Sequence, residues 1–130
     1  MTKENLRLLD ANLNRLREGI RVVEDIYRYI FNDKKIATQL KQLRHNSRIP
    51  IYEELLDSRD IQNDVLKTST KSEQNRSDLT SILIANFKRS QESSRVLEEF
   101  TKLIDINTSE NFKSIRYELY HLEKSILTHK

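Results

Sequence analysis

What most constrains this chain is a set of polar residues that it repeats, in order, 74 positions apart (86 − 12 = 74). Asn12, Arg15, Glu18, Arg21, Val22 and Glu24 recur as Asn86, Arg89, Glu92, Arg95, Val96 and Glu98, and Asp25 is answered by Glu99. Helices that merely pack together share an apolar pattern and vary in their charges, so a repeat carried by charges needs a cause beyond burial. A second echo aligns Leu40 to His45 with Phe112 to Tyr117, at an offset of 72 (115 − 43 = 72). The chain therefore reads as one helical hairpin written twice.

Apolar spacing supports this. Leu9, Leu13, Leu16, Ile20, Val23, Tyr27 and Ile30 follow the three-and-four interval of one helical face, which predicts a first helix from about 3 to 31. Asp33 is placed to cap a second helix through Ile36, Leu40 and Leu43 to about His45, and Pro50 predicts a short continuation over 51–56, set at an angle. From Asp57 to Arg76 the text is polar with no helical stripe and reads as a loop, long enough in a compact domain to suggest function. Ser77 or Asp78 then begins a third helix to about Ile104, and Ser109 a fourth that frays near His129. The expected fold is all-α: a pseudo-twofold four-helix bundle, a single domain over 1–130, with repeat one at about 4–56, a linking loop at about 57–76 and repeat two at about 77–128.

One glycine and one proline in 130 residues leave few tight turns, which excludes an all-β fold. No cysteine is present, so disulfides and thiolate chemistry are excluded. No apolar run approaches the roughly 20 residues of a membrane span, and no secretory leader is evident at the N-terminus, so the expected location is cytoplasmic with no membrane partner. The net charge of +3 is spread among nearly as many acidic residues as basic ones, which argues against a nucleic-acid partner. Gly19 lies inside a helix, so there is no Gly-rich phosphate loop, and His45, His121 and His129 lack metal-ligand spacing.

On a helical wheel Asn12 falls within the apolar arc with Arg15 at its edge, and Asn86 and Arg89 sit the same way beside Leu83, Leu97, Phe100 and Ile104. Arg21, Glu24 and Asp25 fall on the outer arc. A buried amide needs hydrogen-bond partners, and a half-buried guanidinium needs a carboxylate or a phosphate. Residue type and spacing leave two readings open: a structural clasp between the halves, or a ligand site to which Arg44 and Arg116 add cations. Glu18, Glu24, Glu92, Glu98 and Asp64 are the carboxylates that could meet Mg²⁺ through bound phosphates.

The ordered set Asp10-Ala11-Asn12-Leu13-Asn14-Arg15, Arg17-Glu18-Gly19, Arg21-Val22-Val23-Glu24-Asp25, Leu43-Arg44-His45, Arg59-Asp60, Asp64-Val65, Glu73 with Arg76, Ala85-Asn86-Phe87-Lys88-Arg89, Gln91-Glu92, Arg95-Val96-Leu97-Glu98-Glu99 and Arg116-Tyr117 resembles the small helical hydroxymethylpyrimidine phosphate kinase family. That domain is often fused N-terminally to thiamine phosphate synthase and carries its name. The resemblance implies phosphoryl transfer from ATP, with Mg²⁺, to 4-amino-5-hydroxymethyl-2-methylpyrimidine phosphate in thiamine biosynthesis, without action on the unphosphorylated alcohol. It implies Arg15, Arg44, Arg59, Arg76, Arg89 and Arg116 as phosphate clamps. Glu18, Glu92 and Asp64 would hold Mg²⁺ or its waters, and Asn12 and Asn86 would read the aminopyrimidine or order the network. Within that set Arg15, Glu18, Arg89 and Glu92 are the expected catalytic group. Leu66 stands where the family has glycine after Asp64-Val65, and Ser93-Ser94 where it has Ala-Leu. A synthase barrel is not expected from so short a helical chain, since it typically needs about 200 residues or more. The competing reading is a non-catalytic helical module that binds the pyrimidine phosphate or docks onto a separate synthase. Broad apolar helix faces are compatible with a homodimer.

Overall fold

The computed structural model describes residues 1–128, and its described residues form helices and connections with no strand. His129, where the pattern places the fraying of the last helix, lies outside the described residues.

Helix α1 spans Lys3–Asp25 and is capped by Thr2, whose hydroxyl accepts from Asn5 N. It does not run on to Phe31 as α-helix. Ile26–Ile30 form a π turn, closed by Phe31 N donating to Ile26 O, and Asn32 takes the left-handed conformation (φ 52°) that an Asx residue tolerates at a helix end. The wider turn alters the register, so Ile26 is buried while Ile30, expected on the dry face, is 53% exposed.

Asp33 caps α2 (Lys34–Asn46) by accepting from Ile36 N at 3.0 Å. The angled continuation after Pro50 is α3 (Tyr52–Ser58), which packs on α1. The loop over 57–76 holds one helical turn that its composition hid, α4 (Lys71–Gln74), closed by a reciprocal capping box between Thr70 and Glu73. Asp78 caps α5 (Leu79–Phe100), which passes through a 3₁₀ turn (Thr101–Leu103) into α6 (Ile106–Thr128). Ile104, expected on the dry face of the third helix, falls beyond its α-helical part and is exposed.

The start of α6 corrects the expectation at Ser109. Asp105 caps it, accepting from Thr108 N at 2.8 Å, whereas Ser109 is buried inside the helix and donates to Glu98 O at 2.7 Å. Asp105 stands 72 positions after Asp33 (105 − 33 = 72), so the caps repeat at the offset of the helices they open.

The hairpins α1–α2 and α5–α6 meet through α1 and α5, which run antiparallel: Gly19 faces Asn86 and Ser90, while Asn12 shares a cleft wall with Ser93 and Val96. Gly19 permits the approach. A Cβ there would lie 2.2 Å from Ser90 Oγ and 3.1 Å from Asn86 O. Ser90 Oγ donates across the seam to Leu16 O at 3.3 Å. Leu9, Leu16, Ile20, Leu40, Phe87, Leu97, Phe112, Ile115 and Leu119 form one continuous core on either side of this crossing.

Candidate functional site

The repeated charges divide into two kinds. At the corner of the first hairpin, Glu24 is 1% exposed and takes a two-pronged contact from Arg44, Nε to Oε1 at 2.8 Å and Nη2 to Oε2 at 3.3 Å. At the second corner Glu98, 6% exposed, accepts from Arg116 Nε at 3.1 Å and Nη2 at 2.9 Å, and Arg95 Nη1 approaches it at 3.1 Å. The hydrogen bond to Glu24 raises Arg44 above the ordinary guanidinium value, against the opposing pull of burial. Arg116 also lies over the Tyr117 ring, 4.9 Å from its centroid. The expected outer arc is thus corrected for Glu24, and Glu98 is buried in the same way: α2 and α6 cover that face and bring the arginine that makes burial of a carboxylate tolerable. Arg44 and Arg116 clasp the hairpins and do not line the central cleft.

That cleft, of about 650 Å³, crosses α1 and α5 at the seam. From α1 it gathers Ala11, Asn12 and Arg15; from α5, Lys88, Arg89 and Glu92 among others; from the loop, Asp64, Leu66, Lys67 and Glu73. Arg15 and Arg89 are exposed, and among the described residues neither guanidinium has an ion-pair partner. Four cations, Arg15, Lys67, Lys88 and Arg89, face three carboxylates, Asp64, Glu73 and Glu92. Lys88 leans on Glu123 at 3.5 Å and Lys67 donates to Gln62 O at 3.2 Å.

Asn12 is buried as expected, and Asn86 half-buried. Each amide nitrogen donates to the carbonyl one turn back, Asn12 to Leu8 O at 2.9 Å and Asn86 to Ile82 O at 2.8 Å, again 74 positions apart (82 − 8 = 74). Asn12 lines the cleft and Asn86 does not. Glu92 lines it and its counterpart Glu18 does not, because the linking loop lies over one of two pseudo-equivalent faces. Asp64 is spent partly on the loop itself: its Oδ1 accepts from Leu66 N at 3.0 Å, an Asx turn made without glycine.

A second cleft, of about 440 Å³, adjoins the first and shares Ala11, Arg15, Asp64 and Lys67 with it. Arg59 lies here, held in a fork by buried Asp10, Nε to Oδ2 at 2.8 Å and Nη2 to Oδ1 at 2.9 Å. This bond raises the Arg59 pKa and fastens the start of the loop to α1, helped by Arg7 Nη2 donating to Asp60 O at 3.0 Å. Arg76 donates to Asn75 O at 2.9 Å and lines neither cleft.

Asp10, Lys67 and Lys88 escaped the sequence reading as site residues. Asp10 had a signal, since it opens the first copy of the polar run, but nothing in the text joins it to Arg59, 49 positions on. Among the described residues no group of three or more His, Asp or Glu side chains is arranged to hold a metal ion. Glu18, Glu92 and Asp64 are not brought together, although Glu92 and Asp64 share the larger cleft. Among the described residues no helix is long and apolar enough to cross a membrane.

The model of the ThiD2 family matches residues 7–125. The chain is 38% identical over 125 residues to a thiamine-phosphate synthase of Nostoc punctiforme, covering 95% of this chain and 36% of that protein. It is 40% identical over 121 residues to one of Thermosynechococcus vestitus, covering 92% and 34%, and 40% identical over 120 residues to one of Rhodopirellula baltica, covering 88% and 32%. It spans about a third of the length of these relatives. No solved structure matches it.

Proposed function

This chain belongs to the ThiD2 family, and from that premise we propose that it serves thiamine biosynthesis as a kinase, moving the terminal phosphoryl group of ATP onto the phosphate of 4-amino-5-hydroxymethyl-2-methylpyrimidine phosphate. The synthase activity named in the relatives belongs, in this reading, to the roughly two thirds of their length outside the match. The observation that carries the proposal is the pair Arg15 and Arg89, one from each repeat, without ion-pair partners among the described residues at a shared cleft, while Arg44 and Arg116 at the hairpin corners are bound to carboxylates. Solvated guanidiniums converging on one cleft suit a ligand with several phosphate oxygens.

The chemistry asks little covalent work of the protein. The attacking atom is a phosphate oxygen, whose second ionisation lies near pH 6, so it is already anionic at neutral pH and needs no general base. One P–O bond forms to that oxygen, and the bond to the bridging oxygen breaks, its electron pair leaving with the nucleoside diphosphate. Arg15 and Arg89 offset charge on the transferring group, and Lys67 and Lys88 hold the flanking phosphates. Among the described residues the clefts form no all-protein cage for Mg²⁺, but that ion is usually held by one or two carboxylates plus substrate phosphates, and Glu92 and Asp64 can supply the former. When bound it would neutralise charge on the phosphates. Asn12, lining the cleft with one amide proton committed to Leu8 O, keeps further hydrogen-bonding capacity for an aminopyrimidine edge.

The test is a kinase assay on the purified chain with Mg²⁺ and ATP, offering the pyrimidine monophosphate or the unphosphorylated alcohol. Pyrophosphate ester from the monophosphate alone is the expected result. Folded protein that binds the monophosphate and makes no product would put the non-catalytic binding module first.

A further inference from the structure

The two adjoining clefts share one wall, Ala11, Arg15, Asp64 and Lys67, and differ in everything else. We propose that they are separate subsites for the two substrates of the kinase reading above, on which this inference rests. The cleft of about 440 Å³ takes the pyrimidine monophosphate and the cleft of about 650 Å³ takes the nucleoside triphosphate. The donor and acceptor phosphates then meet at Arg15 and Lys67.

Size assigns the larger ligand to the larger space, and charge assigns it the same way. In the smaller cleft Arg59 is neutralised by buried Asp10, and Arg7, Arg15 and Lys67 face Glu4, Asp60 and Asp64, a balanced set that suits the lesser charge of a single phosphate. The larger cleft adds Arg89 and Lys88, which together with the shared pair match a chain of three phosphates, and it alone contains Glu92 beside Asp64. Leu8 and Ile61 give the smaller cleft an apolar side for one flat ring. The larger crosses both repeats, so its ligand bridges α1 and α5, whereas the smaller lies on the first repeat and the start of the loop. The pseudo-twofold is therefore broken in use: repeat one holds the acceptor, and repeat two contributes to the donor alone.

The experiment is calorimetric titration of the full chain at physiological ionic strength, where charges more than about 8 Å apart are screened. The probes are the magnesium complex of a non-hydrolysable imido analogue of ATP and the pyrimidine monophosphate, each titrated alone and with the other saturating. Arg89→Ala should weaken the nucleotide analogue by tenfold or more and leave the monophosphate within twofold. Ile61→Asp, at a site 72% exposed and so harmless to folding, should do the reverse, and Arg15→Ala should weaken both. The opposite pattern, or equal loss of both ligands in Arg89→Ala and Ile61→Asp, overturns the assignment. A wild-type chain that binds no nucleotide overturns the kinase reading itself, and is seen before any variant is made.

Discussion

The hairpin corners and the central cleft are built from the same repeated letters and use them in opposite ways. At the corners Glu24 and Glu98 are buried, and Arg44 and Arg116 arrive from the neighbouring helix to meet them at 2.8 and 2.9 Å. In the cleft Arg15 and Arg89 stand exposed with no carboxylate drawn onto them among the described residues. A duplicated charge is thus no single signal. It marks a clasp where the packing supplies a partner and a candidate site where it does not.

The sharpest way to separate the regions is to remove one arginine from each. Arg89→Ala should lower kcat/KM about 1,000-fold, on the scale of a charge-stabilising arginine in phosphoryl transfer, or about 4 kcal/mol. Its unfolding free energy should stay within about 0.5 kcal/mol of wild type, as for an exposed residue. Denaturant titration beside the assay checks both, and a collapse of the fold would move Arg89 into the class of Arg44. Glu24→Ala should show the converse, losing about 3–5 kcal/mol of stability by leaving a guanidinium without its buried partner, with turnover per folded molecule near wild type.

The seam between the halves gives a smaller effect. Gly19→Ala gains about 1 kcal/mol of helix propensity but drives a methyl group onto Ser90 Oγ, with a net loss of about 1 kcal/mol expected. Repeating it in a Ser90→Ala background should remove most of that loss. A double-mutant cycle with no coupling would show that the helices part rather than press together.

The smallest effect is read by pH at the cap of α6. The backbone and hydroxyl of Thr108 hydrogen-bond to Asp105 and hold its carboxyl below the ordinary range. A lowered folded pKa gives stability that is full above the unfolded value, about 3.9, and is lost as pH falls through the folded value. Asp105→Asn keeps a capping oxygen that does not titrate, so its stability should fall less steeply than wild type below about pH 4. Parallel slopes in acid urea titrations would remove Asp105 from the acid response.

Much of the fold lay open in the text. Asp33 caps the helix it is expected to cap, Asp78 proves to be the cap of the third helix where Ser77 or Asp78 is expected, and the 74-residue repeat emerges as two antiparallel central helices. The π turn at Ile26–Ile30 did not, because a uniform 100° wheel has no place for an extra residue in one turn. Nor did the burial of Glu24: the wheel orders residues around one helix and is blind to the neighbour that covers its polar side. Of the candidate site, Asn12, Arg15, Arg89, Glu92 and Asp64 were legible and are gathered in one cleft, while Arg44, Arg59, Arg76, Arg116, Glu18 and Asn86 lie outside it.

By itself the sequence determined the long helices, the cap at Asp33 and the doubling, since these rest on local backbone preference and on periodicity within one segment. Only the tertiary structure decided which copy of each residue serves which role. A carboxylate 18 or more positions away can claim an arginine, and a loop can cover one face of a twofold and leave the other bare. Both are settled by distances in space, about which a repeat in the chain is silent.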